Sequence, residues 1–166
     1  MQHQVKSVLY STDLSQNALI AFGYAAYLAK LTGADIHLLH VLEKLSDDAA
    51  FTLQAYLLDE KKRHEILGLR VDKAKKLMEE RQEAFWSTQS GEDQKVRAQI
   101  KSITVCESYP AEEILKTAKK HDCDLIIMGS HERGLTHTFL GSVAKSVLRR
   151  SLVPTLIVPL IDSEER

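Results

Sequence analysis

The chain has 166 residues, 44% of them hydrophobic, and contains only seven glycines and three prolines. This length and composition are typical of one globular domain, residues 1–166, and exclude a disordered or fibrous chain. The 22 basic and 23 acidic residues nearly cancel, so charge gives no argument for binding to nucleic acid or to an anionic membrane. No apolar run is long enough to span a bilayer, the amino terminus lacks a signal-peptide core, and two cysteines cannot form a disulfide framework. We therefore expect a cytoplasmic protein.

The first forty residues predict a strand, a helix and a second strand. Residues 5–10 have a strand pattern, and Ser15 is a suitable N-cap for the helix that follows. Small and apolar side chains then recur at helical spacing until Thr32 and Gly33, where a helix can end. Residues 35–42 predict the second strand. A strand–helix–strand unit of this length favours parallel pairing with a right-handed crossover.

A long charged segment, residues 46–87, follows and is mostly helical in pattern. It predicts a crossover helix with an extended exposed lead-in. These side chains are able to share the apolar face of the helix: Ile66, Leu69 or Arg70, Ala74, Leu77, Met78 and Phe85. The apolar stretch AAFTLQAYLL, residues 49–58, exceeds what a crossover needs. An alternative is therefore that this part of the segment binds a protein partner.

The second half of the chain predicts three more strands and two more helices. The segment STQSGED, residues 87–93, is expected to be the main loop. Strands are expected at residues 99–105, 124–128 and 155–159, and helices at residues 110–122, where Pro110 suits a first helical position, and 142–151. Five strands that alternate with four helices predict an α/β fold, a doubly wound parallel sheet with helices on both faces. Ligands of such sheets bind beyond the carboxyl ends of the strands.

Polar and small residues mark the carboxyl ends of the first and fourth strands. They are Ser11, Thr12 and Asp13 after the first strand and Met128, Gly129 and Ser130 after the fourth. Asp13 can cap the following helix, or it can accept a hydrogen bond from an adenine amino group or a sugar hydroxyl. Both roles can hold together, because a carboxylate has several lone pairs.

Gly141 and Ser142 open the last helix beside the same edge of the sheet. Free backbone N–H groups and the positive end of a helix dipole bind anions, phosphates above all. With Ser142 as N-cap, Lys145 falls at the third helical position, where a cation opposes the dipole. A bound polyanion would remove that penalty; the alternative is that Lys145 simply extends into solvent.

Other motifs of catalysis or metal binding do not fit the sequence. The segment GSHERGLT has Leu135 where a P-loop needs its lysine. His131 and His137 could share a metal, but the seven histidines show no ligand spacing, and no GxSxG elbow is present. We assign no catalytic residue and no metal ligand.

Three segments together resemble the universal stress protein family over nearly the whole chain. They are residues 8–43, VLYSTDLSQNALIAFGYAAYLAKLTGADIHLLHVLE, residues 110–131, PAEEILKTAKKHDCDLIIMGSH, and residues 140–159, LGSVAKSVLRRSLVPTLIVP. The resemblance implies a sheet of strand order 3-2-1-4-5 and a homodimer made by antiparallel pairing of the last strands. In one branch of the family it also implies a bound ATP.

Carried over by position, the resemblance implies a nucleotide site at the carboxyl edge of the sheet. Asp13 and Val41 would contact adenine, Met128 and Gly129 the ribose, and Gly141, Ser142 and Val143 the phosphates. Ser11, Thr12, His131 and Gly134 complete the expected nucleotide-binding set. The implied ligand is ATP or AMP, with or without Mg²⁺.

The loop before Gly141 departs from the pattern of that branch, which is glycine, two residues, glycine, nine residues, then glycine and serine or threonine. Glu132 occupies the second glycine position, and only eight residues separate it from Gly141. A carboxylate near phosphates disfavours ATP by repulsion unless it points away or a divalent cation bridges the two. Arg133 can offset the charge, and Gly134 can supply the missing flexibility.

The sequence thus predicts a stress-response protein that binds an adenine nucleotide and signals to partners. An alternative is a nucleotide-free homodimer that acts through protein contacts of residues 51–58. A slow ATPase, with Asp13 or Glu132 orienting water, ranks last, because neither a phosphate-binding lysine nor a paired-carboxylate metal site is evident.

Overall fold

The computed structural model describes residues 4–130 and 140–160, which contain a five-stranded sheet. Its strands are β1 (Ser7–Thr12), β2 (Asp35–Glu43), β3 (Ile100–Ser108), β4 (Leu125–Gly129) and β5 (Thr155–Val158). The strand order is β3-β2-β1-β4-β5, and every neighbouring pair is parallel. The predicted fold class and strand order are confirmed.

More helices connect these strands than the sequence predicted. They are α1 (Ala18–Thr32), α2 (Asp47–Tyr56), α3 (Glu60–Ser87), α4 (Gly91–Gln94), a 3₁₀-helix (Lys95–Gln99), α5 (Pro110–Lys120) and α6 (Ser142–Arg150). Among these described helices, none combines the length and the apolar character needed to cross a membrane.

The lead-in to the crossover helix is exposed, as predicted, but it forms a separate helix, α2. The prediction of a plain loop at residues 87–93 was wrong, because α4 begins within it. The crossover breaks in two because the Asp59 carboxylate caps a new helix, accepting from Lys61 N–H at 2.9 Å. After α3, the Ser90 hydroxyl caps α4 in the same way by accepting from Asp93 N–H. Short polar side chains therefore restart helices at points where composition alone indicates a loop.

Alternate residues of the strands supply two hydrophobic cores, one on each face of the sheet. On one face Val8 and Tyr10 join the cluster that contains α1 and α3 residues such as Phe22 and Met78. On the other face Leu9 joins a cluster with residues of α5 and α6. With both faces covered, a ligand of such a sheet binds at the ends of the strands.

The apolar face of α3 is shorter than predicted. Ile66 and Leu69 are exposed, and burial begins only at Ala74. Further along, the buried side chains include Gln82 and Trp86, and the indole N–H of Trp86 donates to Gln82 Oε1 at 3.2 Å. This paired burial of a polar residue was missed because periodicity treats glutamine as a solvated position.

Candidate functional site

A cavity of about 350 Å³ lies at the carboxyl ends of β1, β2 and β4. The first turns of α1, α5 and α6 also contribute to its wall, through Ala18, Pro110 and Val143 among others. The strand order reverses between β1 and β4, and open α/β sheets bind ligands at such a switch point. The fold therefore has a cavity at the edge of the sheet where the sequence predicts a ligand site.

Most of the predicted site residues line this cavity: Ser11, Thr12, Asp13, Val41, Met128, Gly129, Gly141 and Val143. Ser142 is not among the lining residues; it is exposed on the first turn of α6. His131 and Gly134, together with Glu132 and Arg133, lie outside the described residues. Several other lining residues were not predicted from the sequence, among them His40, Ser130 and Leu160.

Two side chains hold the turn that follows β1. Thr12 Oγ1 accepts from Leu14 N–H at 3.0 Å, and Asp13 Oδ1 accepts from Ser15 N–H at 2.8 Å. Between these bonds Leu14 is buried with φ 61°, a left-handed conformation that is unfavourable for leucine. Asp13 therefore holds the turn with one oxygen but does not cap α1, which begins at Ala18. The carboxylate keeps further lone pairs for a ligand.

The amino end of α1 is anchored to β1 rather than capped as predicted. The helix begins at Ala18, so Ser15 is not the residue next to it, although Ser15 Oγ accepts from Ala18 N–H at 3.2 Å. The Tyr10 hydroxyl donates to Ala18 O at 2.7 Å. Burial raises the pKa of the Tyr10 phenol more than its hydrogen bond with Thr12 lowers it, so the phenol remains a proton donor.

The amino end of α6 differs by one residue from the prediction. Gly141 is the N-cap, in an extended conformation with φ −60° and ψ 159°, and Ser142 is the first helical residue. Lys145 is therefore the fourth helical residue, and its N–H donates to Gly141 O at 2.9 Å. The dipole effect declines within the first turn, so Lys145 is a weaker sign of a bound anion than the sequence indicated.

Backbone hydrogen bonds close the base of the loop between β4 and α6. Gly141 N–H donates to Ser130 O at 2.8 Å, and Ser130 N–H donates to Val158 O at 2.9 Å. The N–H group of Gly141 thus already donates a hydrogen bond within the protein. The amides of Ser142, Val143 and Ala144 precede the first bond of the helical ladder and, as in any first turn, are the ones that can bind an anion.

Gly129 is needed for packing, whatever it binds. A Cβ atom at this position would lie 2.6 Å from Cδ1 of Leu160. Leu160 is buried, lines the cavity and lies within hydrogen-bonding reach of Ser130, its N–H being 3.4 Å from Ser130 Oγ. A glycine at the end of β4 therefore lets the segment after β5 form part of the cavity wall.

An ion pair fastens α3 to the rim of this edge. Arg70 Nη1 lies 3.2 Å from Glu107 Oε2 in β3, and Arg70 Nη2 donates to Glu43 O at 3.4 Å.

In residues 4–130 and 140–160 we find no group of three His, Cys, Asp or Glu side chains that could hold a metal ion.

The fold and the cavity define a doubly wound α/β protein with an open cavity at its switch point. The sequence profile of the universal stress protein family matches residues 4–159, so the chain belongs to that family.

Named relatives support this assignment over the full length of the chain. Universal stress protein MJ0577 of Methanocaldococcus jannaschii is 32% identical over 166 aligned residues, which cover 95% of this chain and 97% of the relative. A solved structure of hypothetical protein MJ0577, described as a structure-based assignment of biochemical function, is also similar. Its TM-score is 0.70 at 29% identity, and the match covers 96% of this chain and 99% of that one. A universal stress protein in complex with cAMP shares the fold, with a TM-score of 0.56 at 18% identity and coverage of 95% and 99%.

Proposed function

We propose that the chain is a single cytoplasmic domain, residues 1–166, that binds ATP or AMP and acts as a stress-response binding and signalling module. The observation that carries this proposal is the cavity at the switch point, between Asp13 on one side and the first turn of α6 on the other. Its volume of about 350 Å³ is near the lower end of the ~300–1,000 Å³ typical of small-molecule sites. A nucleoside suits that size, with the phosphates extending along α6.

The lining residues supply the groups that a nucleotide requires. Asp13 is available to accept from a base or sugar, and Met128 gives an apolar surface beside it. The first-turn amides of α6, rather than that of Gly141, would donate to the phosphates. Mg²⁺ would be held mainly by the phosphates and water, since the described residues offer no carboxylate cluster.

Family membership supports an adenine nucleotide as the ligand. A universal stress protein has been solved in complex with cAMP, so at least one protein of this family binds an adenine nucleotide. The likeness of this chain to that protein extends to the fold alone.

The last strand is the proposed homodimer contact. β5 is an edge strand of the described sheet, and two-fold pairing of such edges is antiparallel and self-complementary. Ile157→Lys should give a monomer in sedimentation, but Ile157 also packs against a core cluster. Leu152→Lys is the cleaner variant, because Leu152 is fully exposed just before β5. Dimers that persist in both variants would place the interface elsewhere.

The nucleotide proposal is tested by denaturing the purified protein and identifying the released small molecules by mass spectrometry. We expect ATP or AMP near one per chain, and calorimetric titration of nucleotide-free protein should show binding. Absence of nucleotide in the released fraction together with flat titrations of both ATP and AMP would overturn the proposal.

A second candidate function, a nucleotide-free homodimer that acts through protein contacts, is favoured by α2. No residue of this helix is buried. Phe51, Tyr56 and the following Leu58 are 73%, 84% and 87% exposed, and clustered exposed apolar side chains often mark contact surfaces. The flat titrations described above are the result that this candidate predicts.

A further inference from the structure

His40 is a buried histidine at the carboxyl end of β2, with 8% of its surface exposed, and it lines the cavity. Its Nδ1 lies 2.8 Å from Thr12 O on the neighbouring strand β1. A carbonyl oxygen can only accept, so Nδ1 must carry the proton and donate it. In a neutral imidazole with that tautomer, Nε2 is a hydrogen-bond acceptor.

Nε2 is left without a protein partner. No hydrogen bond to it occurs within residues 4–130 and 140–160. His40 lines the cavity, so Nε2 is the imidazole atom that a ligand bound there can use.

A second histidine of the same strand, His37, does not line the cavity. Its Nδ1 lies 2.7 Å from Ser102 Oγ, and its ring stacks on that of His121 with centroids 4.1 Å apart. Each of the two imidazoles has one nitrogen bonded to the protein. His40, three residues further along β2, differs in lining the cavity, where its second nitrogen can meet a ligand.

We infer that His40 Nε2 accepts a hydrogen bond from the exocyclic amino group of the base and so selects adenine over 6-oxopurines. This inference rests on the proposed function. An amino group carries two hydrogens, so it can donate to Asp13 and to His40 together. A 6-oxo group would instead direct its lone pairs at Nε2 and leave both without a hydrogen bond.

His40 also positions the end of β1 through Thr12 O, and the test has to separate the two roles. His40→Asn keeps an amide N–H at the place of Nδ1 but has no atom at the place of Nε2. His37→Asn is the matched control, because it makes the same substitution in the same strand away from the cavity. His40→Gln places an amide at the Nε2 position, where it can donate.

The experiment is calorimetric titration of the wild type and these variants with ATP, with purine riboside 5′-triphosphate, which lacks the amino group, and with inosine 5′-triphosphate. We expect the wild type to prefer ATP over the purine riboside analogue by about tenfold, the usual effect of an unpaired acceptor. The preference should fall in His40→Asn, where Asp13 alone accepts from the amino group, and should persist at its wild-type value in His37→Asn. His40→Gln should shift the preference from ATP towards inosine 5′-triphosphate.

The outcomes separate the inference from the proposed function. Equal affinities of the wild type for ATP and the purine riboside analogue, or an ATP preference that His40→Asn and His40→Gln both leave intact, would overturn the role of His40 while nucleotide binding stands. Failure of all three nucleotides to bind the wild type would overturn both. Because the wild-type ratio and His40→Gln are independent readouts, the test does not depend on the folding of His40→Asn.

Discussion

The two ends of the sheet carry similar polar residues but use them differently. At the amino end, Asp124 Oδ2 accepts from Lys6 N–H at 2.7 Å and from Ser7 N–H at 3.0 Å. The Ser7 hydroxyl lies within hydrogen-bonding distance of His121 O at 3.2 Å and of Cys123 Sγ at 3.4 Å. The side chains of an aspartate, a serine and a cysteine thus bond there to the backbone or to each other.

At the carboxyl end an aspartate, two serines and a histidine line a cavity. Asp13 uses one oxygen for the turn, and His40 uses one nitrogen for Thr12 O, which leaves acceptors of both available to a ligand. The comparison shows that polar residues at a strand end do not define a site. What distinguishes the two ends is whether protein partners satisfy the polar groups.

The largest effect is expected for Gly141→Val. Gly141 has an extended backbone that valine can adopt, so the fold should persist while the side chain enters the space beside the first-turn amides. Loss of several charge-assisted hydrogen bonds should weaken ATP binding about hundredfold or more in calorimetry.

The matched control is Gly91→Val, since nothing lies within 4 Å of a Cβ atom at Gly91. Far-UV circular dichroism should be retained in both variants. Binding of wild-type strength in Gly141→Val would show that the phosphates lie elsewhere.

Asp124→Ala should do the opposite, lowering stability and leaving ATP affinity unchanged. Two backbone N–H groups at the start of β1 lose their acceptor, although water can partly replace it there. We expect a loss of about 1–2 kcal/mol in the free energy of unfolding by urea. Asp124→Asn, which keeps an acceptor oxygen, should retain most of the stability. A selective loss of ATP binding in Asp124→Ala would contradict the structural role of the amino end.

The prediction for Glu132→Gly rests on the sequence alone, because Glu132 lies outside the described residues. Removing the carboxylate should tighten ATP several-fold more than AMP, since one charge pair near a surface is worth about 1 kcal/mol or more. Mg²⁺ should shrink the difference by screening the pair. Calorimetry with both nucleotides, with and without Mg²⁺, decides the matter, and equal changes for ATP and AMP would rule out repulsion.

The smallest effect concerns pH and the amino end. Burial, and then the neighbouring His121, lower the pKa of His37 from its ordinary value of 6.5. The unfolded chain therefore binds this proton more readily than the folded one. The contribution of His37 to the free energy of unfolding is complete above about pH 6.5 and is lost as the pH decreases below that value. Urea unfolding at pH 7.5 and pH 5 should show a smaller decrease in His37→Asn than in the wild type. An equal decrease would mean that other groups cause the pH dependence.

The parts of the fold that local chemistry determines could be predicted from the sequence. The apolar run of β4 and Pro110 at the first position of α5 both hold in the structure. The strand order came from family resemblance, because strand patterns alone do not specify which strands pair. Prediction failed where a single side chain determines where a helix begins. Asp59 is the example, because it caps α3 and so divides the crossover into α2 and α3.

Strand and helix patterns predicted the candidate site at the ends of strands and at the start of a helix, whereas Val41, inside β2, came from the family resemblance. His40 was missed because it stands inside a strand pattern, where a histidine resembles any other half-buried residue. Its significance comes from the distance to Thr12 O, a contact across 28 positions. Leu160 was missed because its contact with Gly129 depends on how the segment after β5 turns back over the edge of the sheet.

Hydrogen–deuterium exchange with and without saturating ATP compares the two ends of the sheet most directly. We predict slower exchange for the amides at the carboxyl end, in residues 12–15 and in the first turn of α6, residues 142–144. The amides of Lys6 and Ser7, and those of residues 121–124, should exchange at unchanged rates. Protection confined to the amino end, or no protection at either end under conditions where calorimetry shows binding, would contradict a nucleotide site at the carboxyl edge.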